Sequence, residues 1–281
     1  MLRGLKDKGK REILSKPAVA VIGARACSNY GSLAAKEMGK ALADMGIVVI
    51  SGMAKGIDGI CQWTSLENGG ESVGVLGCGV EVCYPIENQR LYQRLQREGC
   101  LLSENPPYMQ PSAGLFPLRN RIISGLADVV VVIEAREKSG TLITVDMALE
   151  QGKEVYAMPG RITDPVSRGC NKLIKQGAGV ILSIREFVEE ICPILQLKYQ
   201  GAKQTHKTLV LTPEERLVIE SIDVSLKNME DIYQKAKMKC SDMTISKVME
   251  IVMELQMKNI LKEEQGYYSL KEWLVEGIGA L

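Results

Sequence analysis

The sequence has 281 residues, with 35 Lys and Arg residues against 34 Asp and Glu residues and one histidine. This length suggests about two domains, since domains of roughly 100 to 200 residues are typical. The near balance of charge excludes a uniformly basic coat for nucleic acid, so any anion site must come from a local cluster of side chains and backbone amides.

Composition also limits the compartment and the chemistry. The longest aliphatic run, residues 129–133, is far shorter than the roughly 20 residues of a membrane span, and residues 1–16 lack the apolar core of an export signal. The eight cysteines are scattered along the chain, which is typical of free thiols in a reducing compartment. We predict a soluble, cytoplasmic protein that makes no membrane contact.

Two further kinds of site are disfavoured. Aromatic residues make up 5% of the chain, which argues against the base-stacking platforms of RRM or OB-fold proteins. Cys78 and Cys83 are the nearest cysteine pair, and His206 is far from both in the sequence, whereas a zinc site needs about four ligands. We therefore predict neither a metal nor a cofactor.

Short aliphatic runs alternate with amphipathic helices between residues 17 and 191. The predicted strands lie at residues 18–22, 47–50, 73–76, 101–102, 129–133 and 155–158. Continuous Val and Ile runs indicate strands buried on both faces, and helices between them indicate parallel connections. The fold class is predicted as α/β, with an open parallel sheet.

The carboxyl-terminal part has a different pattern. Apolar periodicity is lost between residues 197 and 211, and three helices follow, over residues 213–222, 228–237 and a third striped by Ile245, Val248, Met249, Val252 and Leu255. A hairpin over residues 260–270, turning at Gln265 and Gly266, completes a predicted winged helix. The division is a basic extension (1–16), an α/β domain (17–196), a linker (197–211) and a winged-helix domain (212–281).

The charge of this predicted winged helix disfavours DNA binding by it. Residues 212–281 hold 9 basic and 13 acidic residues, and the third helix exposes Glu250 and Glu254 beside Lys247. Acidic side chains there would repel phosphates, so an accessory or protein-docking role is favoured. The other 26 basic and 21 acidic residues lie in residues 1–211, so a polyanion should bind to the large domain.

Loops that follow four predicted strands carry cations or small polar residues. They contain, in order, Arg25; Ser51, Gly52 and Lys55; Arg119, Asn120 and Arg121; and Ser139, Gly140 and Thr141. Such loops meet at one edge of a parallel sheet and lead into helix N-termini that attract anions. Helix capping or a solvated cation is the alternative for each loop alone, but the set predicts a phosphate-binding crevice.

Known phosphate-binding motifs are missing from these loops. The chain has no G-x-x-x-x-G-K-[ST] sequence, and its first turn, Gly23-Ala24-Arg25, is not G-x-G-x-x-G, so P-loop hydrolysis and dinucleotide binding are disfavoured. Asp58, Glu104 and Glu134 lie near strand ends and could act as acid and base or chelate a metal. We favour ion pairing with neighbouring cations, because no histidine accompanies them.

The motifs in their order and spacing resemble the DNA-processing protein A family (DprA, also called Smf). The resemblance runs from about Pro17 to Ile191, and the carboxyl-terminal segment resembles the family's winged-helix module. It rests on Gly23-Ala-Arg25, Ser51-Gly-x-Ala-x-Gly-Ile-Asp58, Val75-Leu-Gly-x-Gly79, Tyr84-Pro85, Asn88, Ser103-Glu104, Phe116-Pro-x-Arg119-Asn-Arg121-Ile, Ser139-Gly-Thr-Leu-Ile-Thr144, Pro159-Gly160 and Gly169-Cys-Asn171-Lys-Leu-Ile174.

This resemblance implies an extended Rossmann-like domain in a cytoplasmic bacterial protein. It implies that the protein binds and protects single-stranded DNA, recruits the RecA recombinase during natural transformation in competent cells or other recombination, and acts as a homodimer. The residues that match the family's motifs and would line the DNA site are Arg25, Ser51, Gly52, Lys55, Arg119, Asn120, Arg121, Ser139, Gly140, Thr141, Asn171 and Lys172.

The sequence departs from the family pattern at two places. Many relatives have a histidine four residues after the Asp of the Gly-Ile-Asp motif, where this chain has Gln62. Members often carry a helical module before the first strand, and here the basic stretch 1–16 precedes it. The function of that imidazole is therefore absent or altered in this chain, and the resemblance does not carry over the dimer or partner contacts that the module makes.

The predicted mechanism is non-catalytic: cations and helix-terminal amides hold the sugar-phosphate chain with little base preference. The alternative is an enzyme, because Ser139-Gly140-Thr141 is similar to the motif of phosphoribohydrolases that cleave nucleoside monophosphates. Their motif continues with glutamates, whereas residues 142–145 here are Leu-Ile-Thr-Val. Acid-base chemistry needs a titratable group in reach, so the enzyme is the weaker hypothesis.

Overall fold

The computed structural model of the chain describes residues 4–199, 211–222, 227–258, 260–264 and 266–270. The chain divides into two compact units, residues 1–204 and 205–281. The boundary falls inside the predicted linker, although residues 200–210, His206 among them, lie outside the described residues. The domain limits given above therefore stay predictions.

An eight-stranded sheet forms the centre of the first unit, within the part of the chain that is described. The strands are β1 (Lys6–Gly9), β2 (Ala18–Ile22), β3 (Val48–Ser51), β4 (Ser72–Val75), β5 (Cys100–Ser103), β6 (Val129–Val132), β7 (Glu154–Ala157) and β8 (Gly179–Val180). Their spatial order is β1-β5-β4-β3-β2-β6-β7-β8. All neighbouring pairs are parallel except β1 with β5, so the predicted α/β class and open parallel sheet are confirmed.

Helices cover both faces of this sheet. They are α1 (Asn29–Asp44), α2 (Ile57–Glu67), α3 (Gln89–Glu98), α4 (Leu115–Leu126), α5 (Gly140–Glu150), α6 (Arg168–Lys175) and α7 (Ile184–Ile191). Alternate residues of β2 point to opposite faces: Ala20 packs in a core with α4, α5 and α6, and Val21 in a core with α1, α2 and α7. Burial on both faces explains why the central strands are uninterrupted aliphatic runs.

The order of the strands creates a switch point between β2 and β6. The chain leaves β2 toward β3 on one side, and it leaves β6 toward β7 on the other. Loops at the carboxyl ends of these two strands therefore diverge and leave a crevice between them, which is where open α/β sheets bind ligands.

The amino-terminal residues form structure that the sequence analysis does not predict. Strand β1 pairs antiparallel with β5, and a 3-10 helix (Arg11–Ser15) follows it. Ile13 in that helix is fully buried in the core that contains α4. The basic stretch is thus part of the sheet's edge, where its charged residues are typical of an edge strand that resists pairing with other chains.

The second unit contains α8 (Pro213–Ser221), α9 (Met229–Lys239) and α10 (Ile245–Met257), with an antiparallel sheet of β9 (Lys227–Asn228), β10 (Leu261–Glu264) and β11 (Tyr267–Leu270). Thr212 and Glu215 form a capping box at the start of α8, as the Thr-Pro sequence predicts. These elements agree with the predicted helices and hairpin, with Gln265 of the turn outside the described residues. The winged-helix assignment itself stays a prediction.

None of the described helices is long and apolar enough to cross a membrane. The described residues contain no group of three or more His, Cys, Asp or Glu residues that could hold a metal ion. All eight cysteines are free thiols.

The burial of Ile13 generates a prediction about stability. We expect Ile13→Ala to lower the free energy of unfolding by about 2 to 5 kcal/mol, because it leaves a cavity in the core. Arg11→Ala is the matched control: Arg11 is exposed and forms a surface ion pair with Asp7, so its loss should cost less than about 1 kcal/mol. Urea unfolding followed by circular dichroism measures both changes. Equal stability of the two variants would contradict a structural role for this segment.

Candidate nucleic-acid interface

A crevice of about 520 Å³ lies at the switch point, and Gly23 and Ile22 at the end of β2 form its floor. Helix α4 contributes Phe116, Arg119, Asn120 and Ile123, and Ser139 and the start of α5 contribute Gly140, Thr141, Ile143 and Thr144. Arg25, Ala54, Asp58 and Tyr84 are also among the lining residues. The structure therefore brings together six of the twelve predicted site residues: Arg25, Arg119, Asn120, Ser139, Gly140 and Thr141.

Arg119 is buried, with 5% of its surface exposed. Its Nη1 donates to the carbonyl oxygen of Gly52 at 2.9 Å and to that of Val75, and its Nε donates to Asn120 Oδ1 at 3.2 Å. Burial lowers the pKa of this guanidinium to about 10. Arg119 thus ties helix α4 to the ends of β3 and β4.

Asp58 provides the negative charge that interacts with the buried guanidinium of Arg119. The amide of Gly52 donates to Asp58 Oδ2 at 3.1 Å. Burial raises the pKa of the Asp58 carboxyl above its usual value, whereas Arg119, Ser51 and backbone amides act to lower it. A Cβ atom at Gly52 would lie 2.6 Å from Arg119 Nη2 and 2.9 Å from Asp58 Oδ2, so position 52 has room for glycine alone.

Arg25 is exposed and lies over the ring of Phe116, with its Cζ 5.7 Å from the ring centroid. The Phe116 and Tyr84 centroids are 5.4 Å apart. Neither ring is among the predicted site residues, because the low aromatic content argues against stacking. The position of Phe116 three residues before Arg119, one helical turn away, is the signal that could have placed it at the crevice.

The start of α5 combines capping with open amides. Ser139 Oγ accepts a hydrogen bond from the Thr141 amide at 3.1 Å, and Thr141 Oγ1 donates to the carbonyl oxygen of Gly23 at 3.2 Å. The predicted capping alternative therefore holds for Ser139 and the Thr141 amide. The first amides of a helix lack intrahelical acceptors and attract anions, and Gly140 is among the residues that line the crevice.

The other predicted residues lie outside the described lining. Ser51 is buried, and its hydroxyl donates to the carbonyl oxygen of Val21 at 2.6 Å. The carbonyl oxygen of Gly52 accepts a hydrogen bond from Arg119. Lys55 pairs with Glu87, and Arg121 pairs with Glu104. The side chain of Asn171 forms two hydrogen bonds with Gly160: it accepts from the Gly160 amide at 3.1 Å and donates to the Gly160 carbonyl oxygen at 3.0 Å. Lys172 is exposed.

Further cations lie on loops at the same edge of the sheet. Arg136, Lys138 and Arg161 follow β6 and β7, and all three are exposed. The Gly169 amide of α6 donates to Ala135 O at 2.8 Å, which joins the loop after β6 to the start of α6. These loops thus add three exposed cations to this edge, with the exposed Glu137 between Arg136 and Lys138.

Glu134 follows β6 and is buried, where it accepts hydrogen bonds from the amide of Ser28 at 2.9 Å and from its hydroxyl. A Cβ at Gly31 would lie 2.3 Å from Glu134 Oε2. This carboxylate thus occupies the start of α1, where a dinucleotide pyrophosphate binds in other Rossmann domains. Ion pairing is confirmed for Glu104, which meets Arg121, but Glu134 caps a helix instead.

Gln62 is completely buried away from the crevice lining. Its Oε1 accepts from the Met53 amide at 3.2 Å, and its Nε2 donates to Ser72 Oγ and to Val73 O, both at 3.0 Å. Met53 has a positive φ of 54°, a conformation that costs energy for a side chain other than glycine. Gln62 therefore holds the strained loop after β3.

Comparisons with known proteins show similarity in sequence and in fold. The profile of the family described as DNA recombination-mediator protein A matches residues 5–192. The chain is 42% identical to the DNA processing protein DprA of Streptococcus pneumoniae over 65% of its length and 64% of the relative's. It is also 42% identical to that of Bacillus subtilis, over 66% and 62% of the two lengths. The chain thus spans less than two thirds of these relatives.

Two solved structures are similar in fold. The S. pneumoniae protein has a TM-score of 0.64 at 41% identity, covering 66% of this chain and 65% of that one. DNA processing protein A from Helicobacter pylori, a structure described for its single-stranded DNA binding mode, has a TM-score of 0.64 at 30% identity, covering 67% of this chain and 86% of that one.

The buried pair in the crevice floor generates a second prediction. We expect Asp58→Ala and Arg119→Met each to lower the free energy of unfolding by about 3 to 5 kcal/mol, because each leaves a buried charge without its partner. The double variant should lose less than the two single losses together, because the two residues are coupled. Urea unfolding of all three variants measures the coupling.

The exposed ion pair between Arg121 and Glu104 is the control. Arg121 lies on the same helix as Arg119, two residues further along. Arg121→Ala should cost at most about 1 kcal/mol, as surface ion pairs do. Losses at Asp58 and Arg119 that simply add would show that the two residues act independently.

Proposed function

Because the chain belongs to the DNA recombination-mediator protein A family, we propose that it binds single-stranded DNA in the crevice and catalyses no reaction there. The observation that carries this proposal is the stack of Arg25, Phe116 and Tyr84 opposite the start of α5. One small site then offers a guanidinium, two aromatic rings and helix-terminal amides. The H. pylori relative named for its single-stranded DNA binding mode supports the same ligand.

Phosphate groups bind to the cations and amides of the crevice in this proposal. Arg25 is exposed and can form two parallel hydrogen bonds with a phosphate, and the open amide of Gly140 adds the positive end of a helix dipole. The exposed cations Arg136, Lys138 and Lys172 continue the path along the sheet edge. Counterion release at each contact supplies affinity that does not depend on sequence.

Nucleobases stack on the rings of Phe116 and Tyr84. Tyr84 is 39% exposed, and its ring plane is tilted by 31° from that of Phe116. Stacking on an aromatic ring is worth about 1 to 3 kcal/mol per base and tolerates every base, since each has a π face. A duplex hides its bases within its own stack, so this feature favours single strands.

The charges of the crevice disfavour the alternative phosphoribohydrolase. Among the described lining residues, Asp58 supplies the one carboxylate, and it is buried against Gly52 and Arg119. General acid-base catalysis needs a group that reaches the substrate. Release of free base from nucleoside monophosphates by the purified chain would favour the enzyme.

We further propose that the chain delivers the bound strand to RecA recombinase in natural transformation or another recombination process, as a cytoplasmic homodimer. The description of the family as a recombination mediator supports this assignment. A pull-down of RecA by the chain on a single-stranded oligonucleotide, and the mass of the chain by light scattering, test the two partners separately.

Arg25 provides the main test of the site. We expect Arg25→Ala to weaken single-strand binding by about 1 to 3 kcal/mol, the usual range for a hydrogen bond to a charged group. The slope of log K against log salt should fall by about 0.7, the value for one phosphate contact on a single strand. Arg25→Lys should recover part of the affinity, because a point charge replaces a planar fork. Fluorescence anisotropy at several salt concentrations measures all three.

Arg97→Ala is the matched control for this experiment. Arg97 is an exposed arginine at the end of α3 that leads into β5, on the edge of the sheet opposite the crevice. Its loss should leave affinity and slope unchanged. Equal effects of Arg25→Ala and Arg97→Ala would mean that binding reflects overall charge and that the crevice is not the site.

The charge difference between the two parts of the chain generates another prediction. We expect a chain that ends at residue 204 to keep most of its affinity for single strands, because residues 1–204 hold 25 basic and 21 acidic residues. Removal of the acidic second unit should also reduce repulsion of phosphate. Gel-shift titration of both chains measures this, and a loss of about a hundredfold or more would place the site in residues 205–281.

A further inference from the structure

Helix α10 carries exposed apolar side chains on one side. Ile245, Met249, Met253 and Met257 are 42%, 45%, 63% and 88% exposed. They are four residues apart, so they form one stripe along the helix. We call these four residues the α10 stripe.

The α10 stripe is separate from the face that holds the second unit together. Val248, Ile251, Val252 and Leu255 of the same helix are buried in the core of that unit. The four residues of the α10 stripe, spaced one helical turn apart and exposed to water, are not needed for this packing. Such continuous exposed patches mark interaction surfaces.

Acidic residues border the α10 stripe on both sides. Glu250 and Glu254 follow Met249 and Met253 in the sequence, so they lie about 100° further around the helix. On the other side, Gln256 Nε2 donates to Glu263 of β10 at 3.2 Å. Two lysines near the stripe are already paired: Lys247 lies 3.6 Å from Glu214 and 3.2 Å from Glu250, and Lys258 pairs with Glu215.

This combination identifies the chemistry of the occupant. Methionine side chains are flexible and polarisable, and surfaces rich in them adapt to varied apolar partners. An amphipathic helix places apolar residues at helical spacing into such a surface, and the bordering carboxylates attract Lys and Arg while repelling phosphate. We propose that the α10 stripe is a docking surface for a basic amphipathic helix of a partner protein.

The proposal is independent of DNA binding by the first unit, and it is tested on the full chain. The probe is a fluorescent peptide of about 18 residues, five helical turns, with Leu at positions of one helical face and Lys elsewhere. A shuffled peptide of the same composition alternates Leu and Lys and has no apolar helical face. We expect the amphipathic peptide to bind at least about tenfold more tightly, by anisotropy.

Two double variants locate the binding. We expect M249Q with M253Q, and separately E250K with E254K, to weaken binding of the amphipathic peptide by about tenfold or more. Met238→Gln is the control, because Met238 is 88% exposed on α9 and outside the α10 stripe. These substitutions are at exposed positions, and unchanged circular dichroism and melting temperature verify that each variant folds.

Several outcomes would overturn the proposal. Equal binding of the shuffled peptide, or unchanged affinity in both double variants, would remove the docking surface. A dimer in sedimentation that M249Q with M253Q abolishes would assign the α10 stripe to a second copy of the chain. Peptide binding that begins only after deletion of residues 271–281 would assign it to the chain's own end. Loss of duplex DNA binding in these variants would assign it to nucleic acid.

Discussion

The buried guanidinium of Arg119 determines how the crevice is built. A buried cation needs an acceptor for its donors and an opposite charge nearby, and it finds them in the Gly52 and Val75 carbonyl oxygens and in Asp58. These acceptors come from the ends of two neighbouring strands and from the start of α2. Helix α4 is thereby fixed across the carboxyl edge of the sheet, and a side chain at position 52 would collide with both charged groups.

Fixing α4 also determines which groups reach a ligand. Phe116 lies one turn before Arg119 on the helix and supports the exposed Arg25 from below. Two arginines of the crevice thus have different tasks. The charge of Arg119 is balanced by its buried partners, and this residue holds the site in shape. Arg25 lies over a ring face, and its exposed guanidinium can bind a phosphate.

The sheet and the location of the crevice are predictable from the sequence because both follow from local patterns. Valine runs such as Val129–Val132 identify buried parallel strands, and small polar residues identify the loops after them. The roles of Arg119 and Arg121 are not predictable from their proximity in the sequence. They lie two residues apart on a helix and therefore point in different directions: one is buried, and the other pairs with Glu104 at the surface. Strand β1 is not predictable in this way, because an edge strand of charged residues has no aliphatic pattern.

Glu134 explains why the ligand site that we propose does not lie at the start of α1. In other Rossmann domains an anion binds at the start of the first helix, but here a buried carboxylate already satisfies the Ser28 amide at that position. The anion site that we propose is across the switch point, where Gly140 at the start of α5 lines the same crevice as Arg25 and Phe116. A mononucleotide could use the amides alone. The rings beside them and the cations that continue to Lys172 match a ligand with several bases and phosphates in succession, which is the chemistry of a single strand.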